Sequence, residues 1–124
     1  MRRRGRSALA VLALAACDWG TSGPGTLDAR VTGDVPLGGA VLDVTWRGAE
    51  GFVGRGSTQV YWAPIDGSPD RFRVILIAPP GEELLFTVEI QDVHAEPPTV
   101  TVAEATDAGS EPVPASGVRV RMGM

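Results

Sequence analysis

The stretch Leu84–Ile90, with the sequence LLFTVEI, decides the fold of this chain. Its large apolar side chains recur at every second position, whereas Thr87 and Glu89 occupy the positions between them. Successive side chains of a β-strand point to opposite faces of a sheet, so this period of two predicts a strand with one buried face. We place that strand within Glu83–Asp92.

Further segments of the same kind, rich in β-branched residues, are separated by clusters of Gly, Pro and Asp. They predict six more strands, at Leu27–Thr32, Ala40–Arg47, Thr58–Ala63, Phe72–Ala78, Thr99–Ala105 and Val118–Met122. Alternation in the second of these places Trp46 on the buried face. Phe72–Ala78 is apolar at both parities, which is typical of a central strand. The glycine-rich 48–56 and the polar 106–116 are predicted to be loops.

From Leu27 onward, no segment shows the 3.6-residue period of a helix long enough to cover a sheet. About seven strands in a chain of this length predict an all-β fold, an antiparallel two-sheet sandwich of the cohesin-like or immunoglobulin-like type. An open barrel is the alternative. The Cys…Trp…Cys pattern of antibody domains is absent, so any immunoglobulin likeness is one of architecture.

The N-terminal segment has the order of features of a secretory signal. Four arginines lie within the first six residues, the apolar run Ala8–Ala16 follows, and Cys17 is the only cysteine of the chain. The run Leu14-Ala15-Ala16-Cys17 resembles the lipobox of bacterial lipoproteins. That resemblance implies cleavage before Cys17, acylation of its thiol and attachment to a membrane through lipid. An ordinary cleaved signal peptide is the alternative.

These features divide the chain into three parts. Residues 1–16 are predicted to be a helical lipoprotein signal peptide, residues 17–26 a flexible tether that carries the lipidated Cys17, and residues 27–124 the β-sandwich domain. The apolar run is too short for a transmembrane helix, which takes about 20 residues. We therefore expect an exported protein of the cell envelope, held at the periplasmic or extracellular face by lipid.

The net charge of the chain indicates which classes of partner it can bind. Four of the 11 arginines precede Cys17 and all 15 acidic residues follow it, so the chain after residue 16 carries seven arginines, no lysine and a net charge of −8. Nucleic-acid binding needs clustered positive charge, which this balance disfavours. The expected partners are the membrane, through the lipid anchor, and an envelope protein or a glycan.

Three segments, Gly39–Val44, Arg71–Leu76 and Leu84–Ile90, resemble strands of a truncated cohesin-like β-sandwich found in small bacterial lipoproteins. The last two resemble the paired strands of those domains, with an apolar run, a Pro/Gly turn and then Leu-x-Phe-x-Val. The resemblance covers Leu27–Ala105. It implies a fold and a surface-binding role, and it carries over no site residue.

Residues with catalytic or metal-binding chemistry are few. His94, the only histidine, lies near Asp92 and Glu96, but no nucleophile motif accompanies it. Asp66 and Asp70 frame a loop whose oxygens suit Ca²⁺, yet the spacing lacks the D-x-D-x-D-G pattern and matches ordinary turn chemistry. We therefore expect no enzyme activity, no cofactor and no metal site.

Tyr61 and Trp62 are the candidate ligand contacts. Neighbouring strand residues face opposite ways, so one of them is expected to point outward and the other to join the core. Together with Trp46 they suit an aromatic platform that stacks on a sugar or a peptide, and an outward Trp62 would be the interaction candidate. The alternative is that Trp46 and Trp62 both pack and Tyr61 is singly exposed. The sequence thus favours a non-catalytic binding or assembly module, with a carbohydrate-binding domain as the alternative.

Overall fold

Eight strands form two antiparallel sheets in the computed structural model, which describes residues 24–91 and 97–123. The strands are β1 Gly25–Gly33, β2 Leu37–Thr45, β3 Ala49–Gly54, β4 Gln59–Pro64, β5 Arg71–Ile77, β6 Leu84–Ile90, β7 Thr99–Asp107 and β8 Val118–Gly123. Over these two ranges there is no α-helix, only a 3-10 turn at Ala115–Gly117.

Each sheet contains four strands. In one the order is β3-β6-β1-β8, and in the other it is β4-β5-β2-β7, with every pairing antiparallel. The predicted two-sheet sandwich is therefore confirmed, with eight strands where about seven were expected.

The core lies between the sheets and contains the alternate residues of their strands. Its largest fully buried side chains are Leu42, Val44, Val74, Leu76, Leu84, Phe86 and Val88. Burial of one such side chain stabilises the fold by about 1.5–3 kcal/mol, so the period of two accounts for most of the apolar driving force. Trp46 is also buried, as its position in Ala40–Arg47 predicts.

The prediction of a loop over residues 48–56 is wrong, because Ala49–Gly54 is the edge strand β3. It pairs with β6 through a register shift between Ala49 and Gly51, so the alternation of buried and exposed residues is lost there. Phe52 nevertheless belongs to the core. Because of the bulge and the glycines, the sequence of this strand lacks the two-residue alternation by which the other strands were predicted.

Several predicted boundaries also differ from the structure. Strand β2 begins at Leu37 rather than at Ala40, and two further differences concern the predicted tether and the predicted 106–116 loop. Strand β1 begins at Gly25, because Gly25 and Thr26 pair with Ile90 and Glu89, so the end of the predicted tether belongs to the sheet. Strand β7 continues to Asp107, beyond the predicted start of the 106–116 loop. There the Asp107 carboxylate accepts hydrogen bonds from the N–H groups of Gly109 and Glu111, at 2.8 and 2.9 Å.

The signal peptide predicted at 1–16, Cys17 and the tether up to residue 23 lie outside the described residues. Across residues 24–91 and 97–123 no helix is long and apolar enough to cross a membrane.

Candidate binding surface

Strand β4 carries both aromatic candidates, and its start is held by Thr58. The Thr58 hydroxyl accepts a hydrogen bond from the Leu85 N–H at 2.9 Å and donates one to the Glu83 carbonyl at 3.0 Å. Leu85 belongs to β6 in the opposite sheet, so one buried side chain joins the two layers where the chain passes from β3 to β4. The side chains that follow Thr58 therefore start from a fixed backbone.

Trp62 lies on the inner side of β4, opposite the buried Val74 of β5. Its ring packs edge-on against Phe52 and Phe72, at centroid distances of 5.4 and 5.8 Å. Because β4 is an edge strand, no further strand of the described part of the chain covers this ring, and 40% of the residue stays exposed. Trp62 thus packs against the core and also reaches solvent at the side of the sandwich.

Tyr61 points to the outer face, as the alternation along a strand requires. It lies opposite Ile75 of β5, is 56% exposed, and donates a hydrogen bond from its hydroxyl to Gln59 Oε1 at 3.2 Å. The two aromatic residues therefore face opposite ways, and Tyr61 is the one on the open surface.

Tyr61 is not singly exposed, because apolar side chains of the neighbouring strands continue the surface. The outer face of β5 presents Ile75 and Ile77, which are 38% and 47% exposed, and Val41 of β2 lies beside Ile75. We call these four residues, Val41, Tyr61, Ile75 and Ile77, the apolar patch. Shallow depressions adjoin Ile75 on both sides, one toward Pro64 and Ile65 and the other over Gly39.

The central position predicted for Phe72–Ala78 is confirmed, since β5 lies between β4 and β2. Its outer residues are nevertheless open to solvent, because no second layer covers that face among the residues described. Sequence reasoning therefore missed Ile75 and Ile77 as surface residues. The signal was present as apolar residues at both parities, but the same pattern is typical of a strand buried on both faces.

An ion pair borders the apolar patch. Arg73 Nε and Nη2 donate to Asp43 Oδ1 and Oδ2 at 2.8 and 3.1 Å, a bidentate arrangement across β5 and β2. The hydrogen bond from Arg73 holds the pKa of the Asp43 carboxyl below its ordinary value, and Coulombic attraction to Arg73 and Arg71 adds to it. The two side chains therefore hold each other in place beside the apolar patch.

The outer face of the β3-β6-β1-β8 sheet is different in character. It carries ion pairs between Arg30 and Glu83 at 3.4 Å and between Arg55 and Asp28 at 3.6 Å. Exposed pairs of this kind contribute little to stability. They do make this face charged, so the apolar patch distinguishes one face of the sandwich from the other.

Asp66 and Asp70 serve a turn between β4 and β5. Asp66 has a positive φ of 52° and precedes Gly67, and the Asp70 N–H donates to Ser68 Oγ at 3.3 Å. Over residues 24–91 and 97–123, no group of three or more His, Cys, Asp or Glu side chains is placed to hold a metal ion. His94, with Asp92 and Glu96, lies outside the described residues, as does Cys17.

Comparisons with protein families, with curated proteins and with solved structures found nothing that matches this chain.

Proposed function

We propose that this chain is a lipid-anchored, non-catalytic binding module of the cell envelope, which holds its partner on the outer face of the β4-β5-β2-β7 sheet. The observation that carries the proposal is the exposure of Tyr61, Ile75 and Ile77 together on that face. Contiguous exposed apolar residues on a small domain are typical of interaction sites.

The make-up of the patch supports a macromolecular partner. A flat sheet face with only shallow depressions offers area but no enclosing pocket, whereas small-molecule sites are usually concave. Aromatic residues are enriched where proteins bind one another, and Tyr61 lies at the free side of the patch. The bidentate Arg73–Asp43 pair gives that surface a polar border.

The anchor is tested by metabolic labelling with a clickable palmitate analogue. The full chain is expected to incorporate the label and to fractionate with membranes, whereas Cys17→Ser abolishes labelling and leaves the chain uncleaved. An unlabelled wild-type chain, or a Cys17→Ser variant that labels and fractionates normally, would contradict the lipid anchor.

The binding face is tested by placing a photo-crosslinking amino acid at Ile77 in the full chain in cells. The matched control position is Val53, a β-branched residue of β3 that is 51% exposed against 47% for Ile77. We expect adducts with a specific protein at least five times more abundant from position 77, and we expect Ile75→Asp to remove them. Equal adducts from both positions, or adducts that survive Ile75→Asp, would rule out this face.

A glycan is the second candidate partner, because the exposed Tyr61 ring and the Arg73 side chain adjoin one depression. A sugar stacks on an aromatic ring and accepts hydrogen bonds from a guanidinium group. We expect binding on a glycan array to be retained by Tyr61→Phe and lost with Tyr61→Ala, and to persist in a chelator. Binding that survives Tyr61→Ala would remove this candidate.

A further inference from the structure

Strand β4 differs from the other three edge strands because it carries no charged side chain. Its sequence is QVYWAP, whereas β3 contains Glu50, β7 contains Glu104 and Asp107, and β8 contains Arg119 and Arg121. Charged residues on an edge normally prevent the strand from pairing with another chain. β4 lacks that protection within a chain whose net charge after residue 16 is −8.

Two of the other edges, those of β3 and β7, also have structural protection that β4 lacks. Strand β3 has its bulge, and the outer edge of β7 is partly covered, since the Val113 N–H donates to the Ala105 carbonyl at 2.9 Å. Across residues 24–91 and 97–123, no backbone group pairs with the outer edge of β4. This edge is therefore open for strand pairing.

The hydrogen bonds between β4 and β5 show which backbone N–H and C=O groups of β4 point to its free edge. The Ile65 N–H donates to the Arg71 carbonyl at 2.8 Å, in the same register that pairs Gln59 with Ile77. In an antiparallel ladder the bonds to one neighbour alternate with those to the other. Residues 59, 61 and 63 therefore bond toward β5, and Val60 and Trp62 direct both their N–H and C=O groups to the free edge.

We propose that β4 pairs antiparallel with β4 of a second copy of this chain, about a two-fold axis through Tyr61. Val60 of each copy then faces Trp62 of the other, and four backbone hydrogen bonds form. Shifting the axis to Trp62 would place Val60 opposite Pro64, which has no N–H. Shifting it to Val60 would place Trp62 opposite Thr58, whose N–H already donates to the Arg55 carbonyl at 3.1 Å.

A second copy fits this edge because every side-chain pair in that register is uncharged. Tyr61 faces its own counterpart on the outer side, and Val60 lies against Trp62 of the other copy, a residue that is 40% exposed in the single chain. Aromatic and β-branched pairs across strands stabilise sheets, whereas like charges opposite one another oppose pairing. An acidic chain therefore self-associates most readily through this stretch, and the contact is isologous.

The register is tested by cysteine crosslinking of the full chain in isolated cell envelopes under mild oxidant. Across the proposed axis the two Tyr61 Cα atoms are about 4.5–5.5 Å apart, within the range that a disulfide spans. Tyr61→Cys is expected to give a disulfide-linked dimer in at least tenfold excess over the parent chain, which retains Cys17.

Ala63→Cys is the matched control, since position 63 faces residue 59 of the other copy and lies about 14 Å from its own counterpart. It is expected to form no dimer alone, and to form one when co-expressed with Gln59→Cys. The proposal would be overturned if Ala63→Cys alone gave as much dimer as Tyr61→Cys. It would also be overturned if Tyr61→Cys gave no dimer or formed a crosslink to a different protein.

Val60→Pro tests the backbone contribution, because it removes an N–H that the described structure does not use. We expect the Tyr61→Cys crosslink to fall at least tenfold when Val60→Pro is added and to persist with Val60→Thr, which retains the N–H. A crosslink unaffected by the proline would refute the pairing. If the proline variant unfolds, the cysteine crosslinks at positions 59, 61 and 63 still test whether β4 pairs in the proposed register.

Discussion

The hydroxyl of Thr58, in the connection that leads from β3 to β4, accepts a hydrogen bond from the backbone N–H of Leu85 in β6 at 2.9 Å. The same oxygen donates to the Glu83 carbonyl, so it satisfies two backbone groups at the start of β6. Thr58 is the one buried polar residue of the described chain, and its burial is offset by these bonds.

Thr58→Val removes the hydroxyl and keeps the shape of the side chain. The Leu85 N–H and the Glu83 carbonyl then lose a partner, so we expect the free energy of unfolding to fall by about 1–3 kcal/mol. Urea denaturation of the purified protein measures this change. Thr58→Ser is the control, and it is expected to retain most of the stability; a loss as large as that of the valine variant would contradict the role of the hydroxyl.

Gly54, at the end of β3, is expected to tolerate no side chain. A Cβ there would fall well inside van der Waals contact of the Thr58 carbonyl oxygen, a backbone atom that cannot turn aside. Gly54→Ala should therefore cost about 2–3 kcal/mol, the upper range for overpacking.

Gly56 provides the comparison, because its φ is +60° but nothing lies within 4 Å of a Cβ. Gly56→Ala should cost about 1 kcal/mol from backbone strain alone. Thermal unfolding of the two variants distinguishes these costs, and equal losses would show that close approach at Gly54 is unimportant.

Much of the sandwich was predictable because buried and exposed residues alternate without interruption in strands such as β6. The fold class follows from that alternation and from the lack of helical periods. Strand β3 was not predicted, because its bulge interrupts the alternation of buried and exposed residues and because glycine at positions 51 and 54 suggested a loop. Those two positions are crowded, by Glu89 at one and by Thr58 at the other.

Trp62 and Tyr61 should differ in what they contribute to stability. Trp62 packs on Phe52 and Phe72, so Trp62→Ala is expected to cost about 2–3 kcal/mol, below the usual 3–5 because the residue is partly exposed. Tyr61 faces solvent, and Tyr61→Ala should cost less than about 1 kcal/mol. Chemical denaturation of both variants measures this, and a reversed order would contradict their assigned faces.

The Asp43–Arg73 pair predicts a stability slope in acid. The folded-state pKa of Asp43 is lowered, so its contribution is present above the unfolded value of about 3.9 and is lost as the pH falls through the lower folded value. Asp43→Asn should therefore flatten this part of the stability profile, because it lowers the free energy of unfolding at neutral pH and leaves it little changed in acid, where the wild-type carboxyl is protonated as well. Urea denaturation between pH 2 and about 7 measures the profile, with Asp66→Asn as the control; an unchanged acid slope in Asp43→Asn would refute the linkage.

The candidate surface was only partly predictable. Opposite orientations of Tyr61 and Trp62 follow from strand geometry and are confirmed. That Ile75 and Ile77 join Tyr61 could not be deduced, because their exposure depends on whether another layer covers that face. The sequence shows that the residues on both faces of this strand are apolar, but it does not show whether another layer of the protein covers the outer face.

Strand order in the β3-β6-β1-β8 sheet has a consequence for when this domain can fold. No two strands that follow one another along the chain are paired there, and β1 needs both β6 and β8 as neighbours. Sheets built from such distant segments form slowly, since long loops must close first. The ribosome must therefore release the chain through β8 before this layer assembles, and such late folding suits the export that we propose.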